Sequence, residues 1–329
     1  MPTGVPLAGG VSSGCWRIDT TRGALAVKRA LPKRSRRGRR AHSWGSRRVL
    51  GQHAALGVLA MEYLPAAVDE AAAAGSTAAG FVLWKDELKR GHADAATAQA
   101  VGRTLVRIHA HAAARAAELA PQFDTDRIFF DIRLAPYLLA TAERHADCAP
   151  ALRALVSETQ AAKRTLVHGD VSPKNILVPK PPSGPSAPAA PAGLGAAVEG
   201  TSRGPVLLDA ECAWWGDPAF DLAFCLNHLL LKALWVPSAR AGFAACFDAL
   251  AATYLAGVDW ESAAQLERRA AALLPGLLLA RVDGKSPVEY LTEPAQRDTV
   301  RRAARPLLLH AVPTLAEVHA AWQRERERR

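Results

Sequence analysis

The chain has 329 residues, of which 50% are hydrophobic, and a formal net charge of +10. A chain of this length and hydrophobicity can bury a large core and divide into two lobes, which excludes an intrinsically disordered protein. The five scattered cysteines include no Cys-x-x-Cys pair, so a disulfide framework or a zinc site is not expected.

The first third of the chain predicts β-strands. Residues 9–20 and 23–31 are short β-type runs on either side of a Thr-Arg-Gly turn, and residues 48–54 and 56–65 form a second pair. Residues 32–46, between the pairs, show no usable apolar period. The pattern therefore predicts a small β-rich region at the start of the chain.

The positive charge is concentrated in one segment. Residues 28–48 contain ten Lys or Arg and no acid, which accounts for the whole excess. Such a run can bind nucleic acid without sequence specificity, but it is more often a solvated segment. A nucleic-acid partner is therefore not expected from this pattern alone.

The rest of the chain predicts helices with one interruption. Val101, Leu105, Ile108 and Ala112 fall at helical spacing, and residues 132–145 and 151–164 predict two further helices. Residues 179–205 are rich in Pro, Ala, Gly and Ser and predict a flexible low-complexity insertion. A strand-like run at 206–211 precedes helices to the end.

This order indicates an α+β protein with two lobes. We expect an N-terminal lobe with its hinge at residues 1–65 and a larger helical lobe at residues 66–329. No apolar run reaches the length of a membrane span and no signal peptide is visible, so we expect a cytoplasmic protein without a membrane partner.

The segment 166–178, LVHGDVSPKNILV, has apolar ends around a polar centre. A central strand does not accommodate Gly, Asp and Pro in its middle, and a simple surface loop does not need apolar flanks. The pattern predicts a loop held rigidly between two buried anchors, with chosen side chains presented outward.

Three oxygen-bearing side chains suit a hard cation. Asp170 and Asn175 lie on this loop, and Asp209 ends the apolar run beyond the insertion. Carboxylate and amide oxygens are ligands that Mg²⁺ accepts. The Asp-x4-Asn spacing also matches the catalytic loop of protein kinases, and Lys28 lies in a strand, where such enzymes place a phosphate-contacting lysine.

Together, VHGDVSPKN (167–175), LLDAE (207–211) and GDPAFDLAF (216–224) resemble the aminoglycoside phosphotransferase and choline kinase-like family. The resemblance covers nearly the whole chain. It implies a protein-kinase-like bilobal fold and an ATP-dependent transfer of the γ-phosphoryl group to a hydroxyl of a small molecule, with GTP possible as the donor.

The resemblance also implies residue roles. Asp170 would be the catalytic base, His168 would brace the loop, and Asp221 would hydrogen-bond the loop backbone. Asn175 and Asp209 would hold Mg²⁺. The nucleotide would be bound by a Gly- and Ser-rich loop, a strand lysine and the lobe hinge, namely Ser12, Ser13, Lys28, Glu62 and Leu64.

Other conspicuous side chains keep two interpretations. Trp214 and Trp215 could form a wall of the substrate pocket, but buried core tryptophans are at least as expected. His109 and His111 fall in a predicted helix and are better explained as packing or surface residues than as ligands.

The chain departs from the family pattern in two ways. No Glu or Asp occurs between Arg29 and Met61, where a kinase lobe carries the Glu that orients its strand lysine. This absence leaves open a catalytically impaired nucleotide-binding homologue with a regulatory role. The C-terminal AWQRERERR is mixed and slightly basic, so a polycationic aminoglycoside would gain little attraction there.

Overall fold

The structure is a computed structural model, and it forms two compact units. One unit comprises Met1–Val82 and Leu177–Val206, and the other comprises Leu83–Ile176 and Leu207–Arg329. Within them the structure describes residues 5–7, 13–20, 23–30, 49–53, 58–64, 80–180 and 204–327.

The first unit contains a five-stranded antiparallel sheet in the order β1-β2-β3-β5-β4. Its strands are β1 (Val5–Leu7), β2 (Ser13–Thr20), β3 (Gly23–Ala30), β4 (Val49–His53) and β5 (Val58–Glu62). Both predicted strand pairs are therefore confirmed. The turn between β2 and β3 is short enough to bring Thr20 opposite Gly23, which fixes the register of that hairpin.

Further short strands flank the polar loop at 166–178. They are β6 (Phe81–Leu83), β7 (Thr165–Val167), β8 (Ile176–Pro179), β9 (Val206–Leu207) and β10 (Trp214–Gly216). β7 pairs antiparallel with β10, and β8 lies between β6 and β9. The polar loop thus runs from one hydrogen-bonded strand to another, and its apolar ends Val167 and Ile176 are fully buried, as the sequence predicted.

The second unit is mainly helical. Its helices are α1 (Trp84–Lys89), α2 (Ala95–Ala114), α3 (Ala116–Leu119), α4 (Asp126–Phe129), α5 (Ala140–Ala142), α6 (Ala149–Ala161), α7 (Pro218–Trp235), α8 (Arg240–Ala256), α9 (Ala263–Asp283), α10 (Pro294–Leu309) and α11 (Leu315–Glu327). The α+β class, with a small β-rich part followed by a larger helical part, is confirmed.

Helix α7 lies at the centre of the second unit, because every residue from Pro218 to Leu234 is buried. The Asp217 side chain caps it by accepting from Ala219 N at 3.0 Å, and Pro218 occupies the first helical position, where its missing N–H costs nothing. Arg269 of α9 binds the same Asp217 carboxylate at 2.9 Å. The GDPAFDLAF motif is therefore the start of the core helix.

The helical expectations hold with one refinement. Val101, Leu105 and Ala112 are buried on α2, as predicted. Of the predicted helix at 132–145, residues 132–142 are helical, but Phe130–Leu139 forms a π-helix with Pro136 inside it, followed by the short helix α5. Proline cannot supply the N–H of a regular α-helical turn, so a wider turn accommodates it.

Several sequence expectations lie outside the described residues. These are the basic stretch at 31–48, which includes the region for a lysine-orienting helix, and most of the predicted flexible insertion at 179–205. Over the described ranges, no single helix is long and apolar enough to cross a membrane. The segments Pro218–Trp235 and Pro237–Ala256 have the length and composition of a membrane span only when they are taken together, and the chain bends by 119° between them.

Candidate functional site

The start of the polar loop is held by one buried carboxylate. Asp221, in the first turn of α7, accepts from His168 N at 2.7 Å and from Gly169 N at 2.8 Å. Its side chain is fully buried, so these two N–H groups replace water as its donors. This is the backbone contact that the resemblance implied for Asp221.

A second layer supports that carboxylate. His109 of α2 is fully buried, with Nε2 3.2 Å from Asp221 Oδ2 and Nδ1 2.6 Å from the Tyr254 hydroxyl of α8. An imidazole that donates from Nε2 to the carboxylate can accept from the tyrosine at Nδ1. Burial raises the pKa of Tyr254, which keeps that hydroxyl protonated as a donor. His109 is therefore a packing residue that orients Asp221.

Gly169 is required by the path of the loop. Its φ is +78°, and a Cβ on it would lie 3.1 Å from Cys212 O, Cys212 Sγ and Phe129 Cε2. The left-handed conformation and the close approach both exclude a side chain. The glycine thus lets the chain turn sharply just before Asp170.

His168 and Asn175 tie the two ends of the loop to the segment that carries Asp209. His168 Nε2 lies 3.0 Å from Leu208 O, so the ring donates there, and its Nδ1 accepts from Asp170 N at 3.2 Å. Leu208 N in turn donates to Asn175 O at 2.8 Å. Asp209 is the next residue, and the tertiary structure therefore brings its backbone beside the loop.

Asn175 also orients the chain at Asp170. Its Nδ2 donates to Asp170 O at 3.1 Å, and the residue is buried. Asp209 itself has a φ of +64°, a conformation sparsely populated outside glycine but tolerated by Asp. Backbone strain of this kind persists where surrounding contacts impose it, often at functional sites.

The Asp170 carboxylate is paired with cations. Oδ2 lies 2.9 Å from Arg133 Nη2 and 3.5 Å from Lys174 Nζ. Burial raises the pKa of Asp170, but the charges of Arg133, Lys174 and His168 outweigh it and the net shift is downward. Asp170 is therefore ionised at neutral pH and serves as a hydrogen-bond acceptor.

Arg133 is a site residue that the sequence analysis missed. It lies on the π-helical segment Phe130–Leu139, and it also donates to Gly169 O and to Ile132 O. Its guanidinium thus holds both the backbone before Asp170 and the Asp170 carboxylate. The available signal was a lone arginine between apolar residues ahead of an in-helix proline, since π-helical turns often occur at functional sites.

The remaining predicted site residues belong to the first unit. Lys28 lies in β3 opposite Leu59 of β5, and Glu62 ends β5. Leu64 is buried. Ser13 begins β2, whereas Ser12 lies outside the described residues. Lys28 and Glu62 thus share one sheet, while the loop residues share the second unit.

The predicted metal ligands pass a chemical test. The bond from Asn175 Nδ2 to Asp170 O leaves the amide oxygen of Asn175 as the free ligating atom, and Asp209 supplies a carboxylate. Both are hard oxygen donors of the type Mg²⁺ accepts. No cluster of three or more His, Cys, Asp or Glu residues occurs among the described residues, so a site made only of these types is not present there.

A pocket of about 420 Å³ opens beside Asp170 and is formed by the second unit alone. Its aromatic walls come from Tyr137, Phe224, Trp235 and Tyr290. Trp214 and Trp215 do not line it. Trp214 instead stacks on Phe129 in the core, with ring centroids 4.1 Å apart, and Trp215 belongs to a buried cluster with Leu119 and Phe123. Both are therefore core tryptophans.

A family model matches the part of the chain that carries the polar loop. Residues 3–184, more than half of the chain, match the model of the APH family, described as the phosphotransferase enzyme family. A crystal structure of a spectinomycin phosphotransferase in complex with ADP and spectinomycin is similar with a TM-score of 0.41 and 10% identity, covering 98% of this chain and 93% of that one. No curated protein matches the chain.

Proposed function

The chain belongs to the APH phosphotransferase enzyme family, and from this premise we propose that it transfers the γ-phosphoryl group of ATP to a hydroxyl of a small molecule, with Asp170 at the reacting hydroxyl. One observation carries the proposal. An ionised Asp170, fixed by its own loop and by Arg133, lines a pocket large enough for a small metabolite.

Asp170 would act on the acceptor mainly by orientation. Its carboxylate accepts the hydrogen bond of the acceptor hydroxyl and directs the oxygen lone pair at the γ-phosphorus. A new oxygen–phosphorus bond forms, the bond to the β-phosphate oxygen breaks, and ADP leaves. The hydroxyl proton passes to Asp170 as bond formation makes the hydroxyl acidic, and then to solvent.

The other loop residues would position this group. Asp221 and His168 fix the backbone on either side of Gly169, and Arg133 holds the carboxylate in one orientation. Asn175 and Asp209 are the residues that would hold Mg²⁺, which when bound neutralises phosphate charge and orients the phosphates. Lys28, Ser12 and Ser13 would contact nucleotide phosphates, and the backbones of Glu62 and Leu64 would contact the base.

A second candidate function is a catalytically impaired nucleotide-binding homologue with a regulatory role. The observation that favours it is the absence of Glu and Asp between Arg29 and Met61, since a strand lysine without its acidic partner is less well oriented. The chemically complete set of Asp170, Asn175 and Asp209 favours the enzyme.

The test compares the wild type with Asp170→Asn and Asp131→Asn. Asn keeps the size of the side chain but loses its charge, so Asp170→Asn should lower Mg²⁺-dependent turnover of ATP with an acceptor by roughly 10²–10⁴ and keep nucleotide affinity. Asp131 is exposed on the Arg133 segment and controls for the substitution itself. Turnover is measured as ADP release over a panel of hydroxylated compounds.

The outcomes separate the two candidates. A wild type that binds ATP but shows no turnover across the panel, like Asp170→Asn, supports the impaired homologue. Active wild type with an equally active Asp170→Asn variant removes Asp170 from its proposed role.

A further inference from the structure

The pocket beside Asp170 carries more positive than negative charge. Its cations outnumber its acids by five to three, the cations being Lys85, Lys89, Lys174, Lys232 and Arg281 and the acids being Asp86, Asp170 and Glu289. Asp170 is already paired with Arg133, which does not line the pocket. The lining therefore offers an excess of positive charge to whatever binds there.

Lys232 is the most buried of these cations, with 5% of its surface exposed. Its Nζ lies over the rings of Trp235 and Tyr290, 4.7 and 4.6 Å from their centroids. No carboxylate among the described residues lies within 4.0 Å of it. The two rings hold the ammonium group in place but carry no counter-charge.

The pKa of Lys232 agrees with this geometry. Burial lowers it to about 8, and the neighbouring charge of Lys85 acts in the same direction, while Asp86 and Glu289 act against it. The lysine is therefore still mostly protonated at neutral pH, and no carboxylate of the described residues pairs with it. A buried charge in this condition gains from an anion brought to it.

Arg281 of α9 adds a second cation to the same wall. Its Nη1 donates to the Tyr137 hydroxyl at 3.1 Å and to Ser286 Oγ at 3.2 Å, which fixes the guanidinium without neutralising it. Its Nε is buried and has no hydrogen-bond acceptor within the described part of the chain. Among the described residues no carboxylate lies within 4.0 Å of Arg281, so its charge is held in place without a counter-charge from that part of the chain.

His228 is a buried residue of the same pocket whose pKa is affected by the nearby cations. It lies 6% exposed in the pocket wall, and burial together with the charges of Arg281, Lys232 and Lys174 lowers its pKa well below the ordinary value. The imidazole is therefore neutral at pH 7. Burial is the largest cause of this lowered pKa and the three cations add to it, and the same cations would repel a polycation placed in this pocket.

We propose that the acceptor carries, besides its reacting hydroxyl, a carboxylate or phosphate group that Lys232 and Arg281 bind. This inference rests on the proposed phosphotransferase function, and it assigns the acceptor to hydroxylated organic acids or phosphate esters. The aromatic wall of Trp235 and Tyr290, stacked at 4.8 Å, would contact the carbon skeleton. The pocket volume of about 420 Å³ lies in the range for a small metabolite.

The experiment uses the full-length protein and matched probe pairs. Each pair joins an anionic compound to its neutral parent, for example gluconate with glucose, glycerate with glycerol, and glucose 6-phosphate with glucose. Binding is measured by ligand-observed saturation-transfer NMR, which needs no turnover, and ADP release is measured on the same compounds with Mg²⁺ and ATP. An aminocyclitol with two amino groups represents the cationic class.

Three proteins are compared. Lys232→Met removes the buried charge and keeps an unbranched apolar chain between the two rings. Lys285→Gln is the control, because Lys285 is an exposed lysine just after α9 that does not line the pocket. Circular dichroism and the unfolding midpoint of each variant show that it is folded.

We expect the wild type and Lys285→Gln to prefer the anionic member of at least one pair by tenfold or more. Lys232→Met should lose that preference, through a higher Kd or KM with a smaller change in kcat. The carboxylate and phosphate pairs distinguish the two kinds of anion. Equal or better binding of neutral or cationic members, no binding of any anionic member, or an unchanged preference in Lys232→Met overturns the proposal.

Failure of this inference is distinct from failure of the proposed function. Turnover of neutral or cationic acceptors that depends on Asp170 retains the phosphotransferase and removes the anionic acceptor. Anion binding that depends on Lys232 without any turnover retains the anion site and removes the enzyme.

Discussion

The ion pair between Arg133 and Asp170 should contribute measurably to stability, and Arg133→Met tests it. Methionine keeps much of the apolar stem but leaves the Asp170 carboxylate without its nearest cation and Gly169 O without its donor. Both partners are largely buried, with 12% and 13% of their side chains exposed. An unpaired carboxylate in such a position pays a desolvation cost.

The size of the effect follows from the geometry. Two unit charges about 4 Å apart attract by roughly 4 kcal/mol at an effective dielectric constant of about 20. Breaking a buried pair by removing one partner costs ~3–5 kcal/mol. Lys174 remains 3.5 Å from Asp170 and both side chains keep some contact with water, so we expect the lower end of this scale, about 3 kcal/mol at pH 7.

The pH dependence provides a second criterion. In the wild type the pKa of Asp170 is lowered, so its stabilising contribution is present above the unfolded pKa, near 3.8, and is lost as the pH falls through the lower folded value. Without Arg133, we expect burial to outweigh the remaining charges of Lys174 and His168 and to raise that pKa. Protonation of Asp170 at mildly acidic pH then removes the unpaired charge from the variant. The difference in the free energy of unfolding between the variant and the wild type should therefore be smaller at pH 5 than at pH 7.

Urea unfolding at both pH values measures this difference. Arg127→Met is the matched control, because Arg127 is an exposed arginine of the preceding helical turn and pairs with the exposed Asp131. It should change little. In an Asp170→Asn background, Arg133→Met should lower the free energy of unfolding much less than it does in the wild type. A pH-independent loss, or no coupling between the two positions, would refute the assignment of the effect to the ion pair.

Two further predictions test the loop and the metal ligands. Gly169→Ala should lower the free energy of unfolding by more than Gly91→Ala does. Both glycines have a positive φ, at +78° and +85°, where Ala costs ~1–2 kcal/mol, but of the two only Gly169 would place the new Cβ 3.1 Å from three atoms. Equal losses of stability in thermal unfolding would contradict the crowding argument. Asp209→Asn should raise the Mg²⁺ concentration needed for nucleotide binding by about tenfold or more, equivalent to ~1.4 kcal/mol, because Asn tolerates the left-handed backbone but carries no charge. Calorimetry that shows Mg²⁺-independent nucleotide affinity in the wild type would exclude the metal role.

The sequence by itself determined the local features of this protein. Short β-type runs around a Thr-Arg-Gly turn predicted the β2–β3 hairpin, and helical spacing of apolar residues predicted the buried face of α2. Apolar flanks around polar residues specified a braced loop at 166–178, and the family motif specified Asp221 as its support. Some of these signals act over a few residues, where backbone geometry dominates, and the others are carried by a motif. Both kinds can therefore be recognised in the amino-acid sequence.

The tertiary structure decided which side chains surround Asp170. Arg133, Lys232 and Arg281 come from separate helical segments, and sequence periodicity reports only the face of a helix and not its partner. Similarly, Trp214 packs in the core while Trp235 lines the pocket, although both are tryptophans beside apolar residues. Charge complementarity at a site depends on packing between distant segments, and that packing exists only in the folded chain.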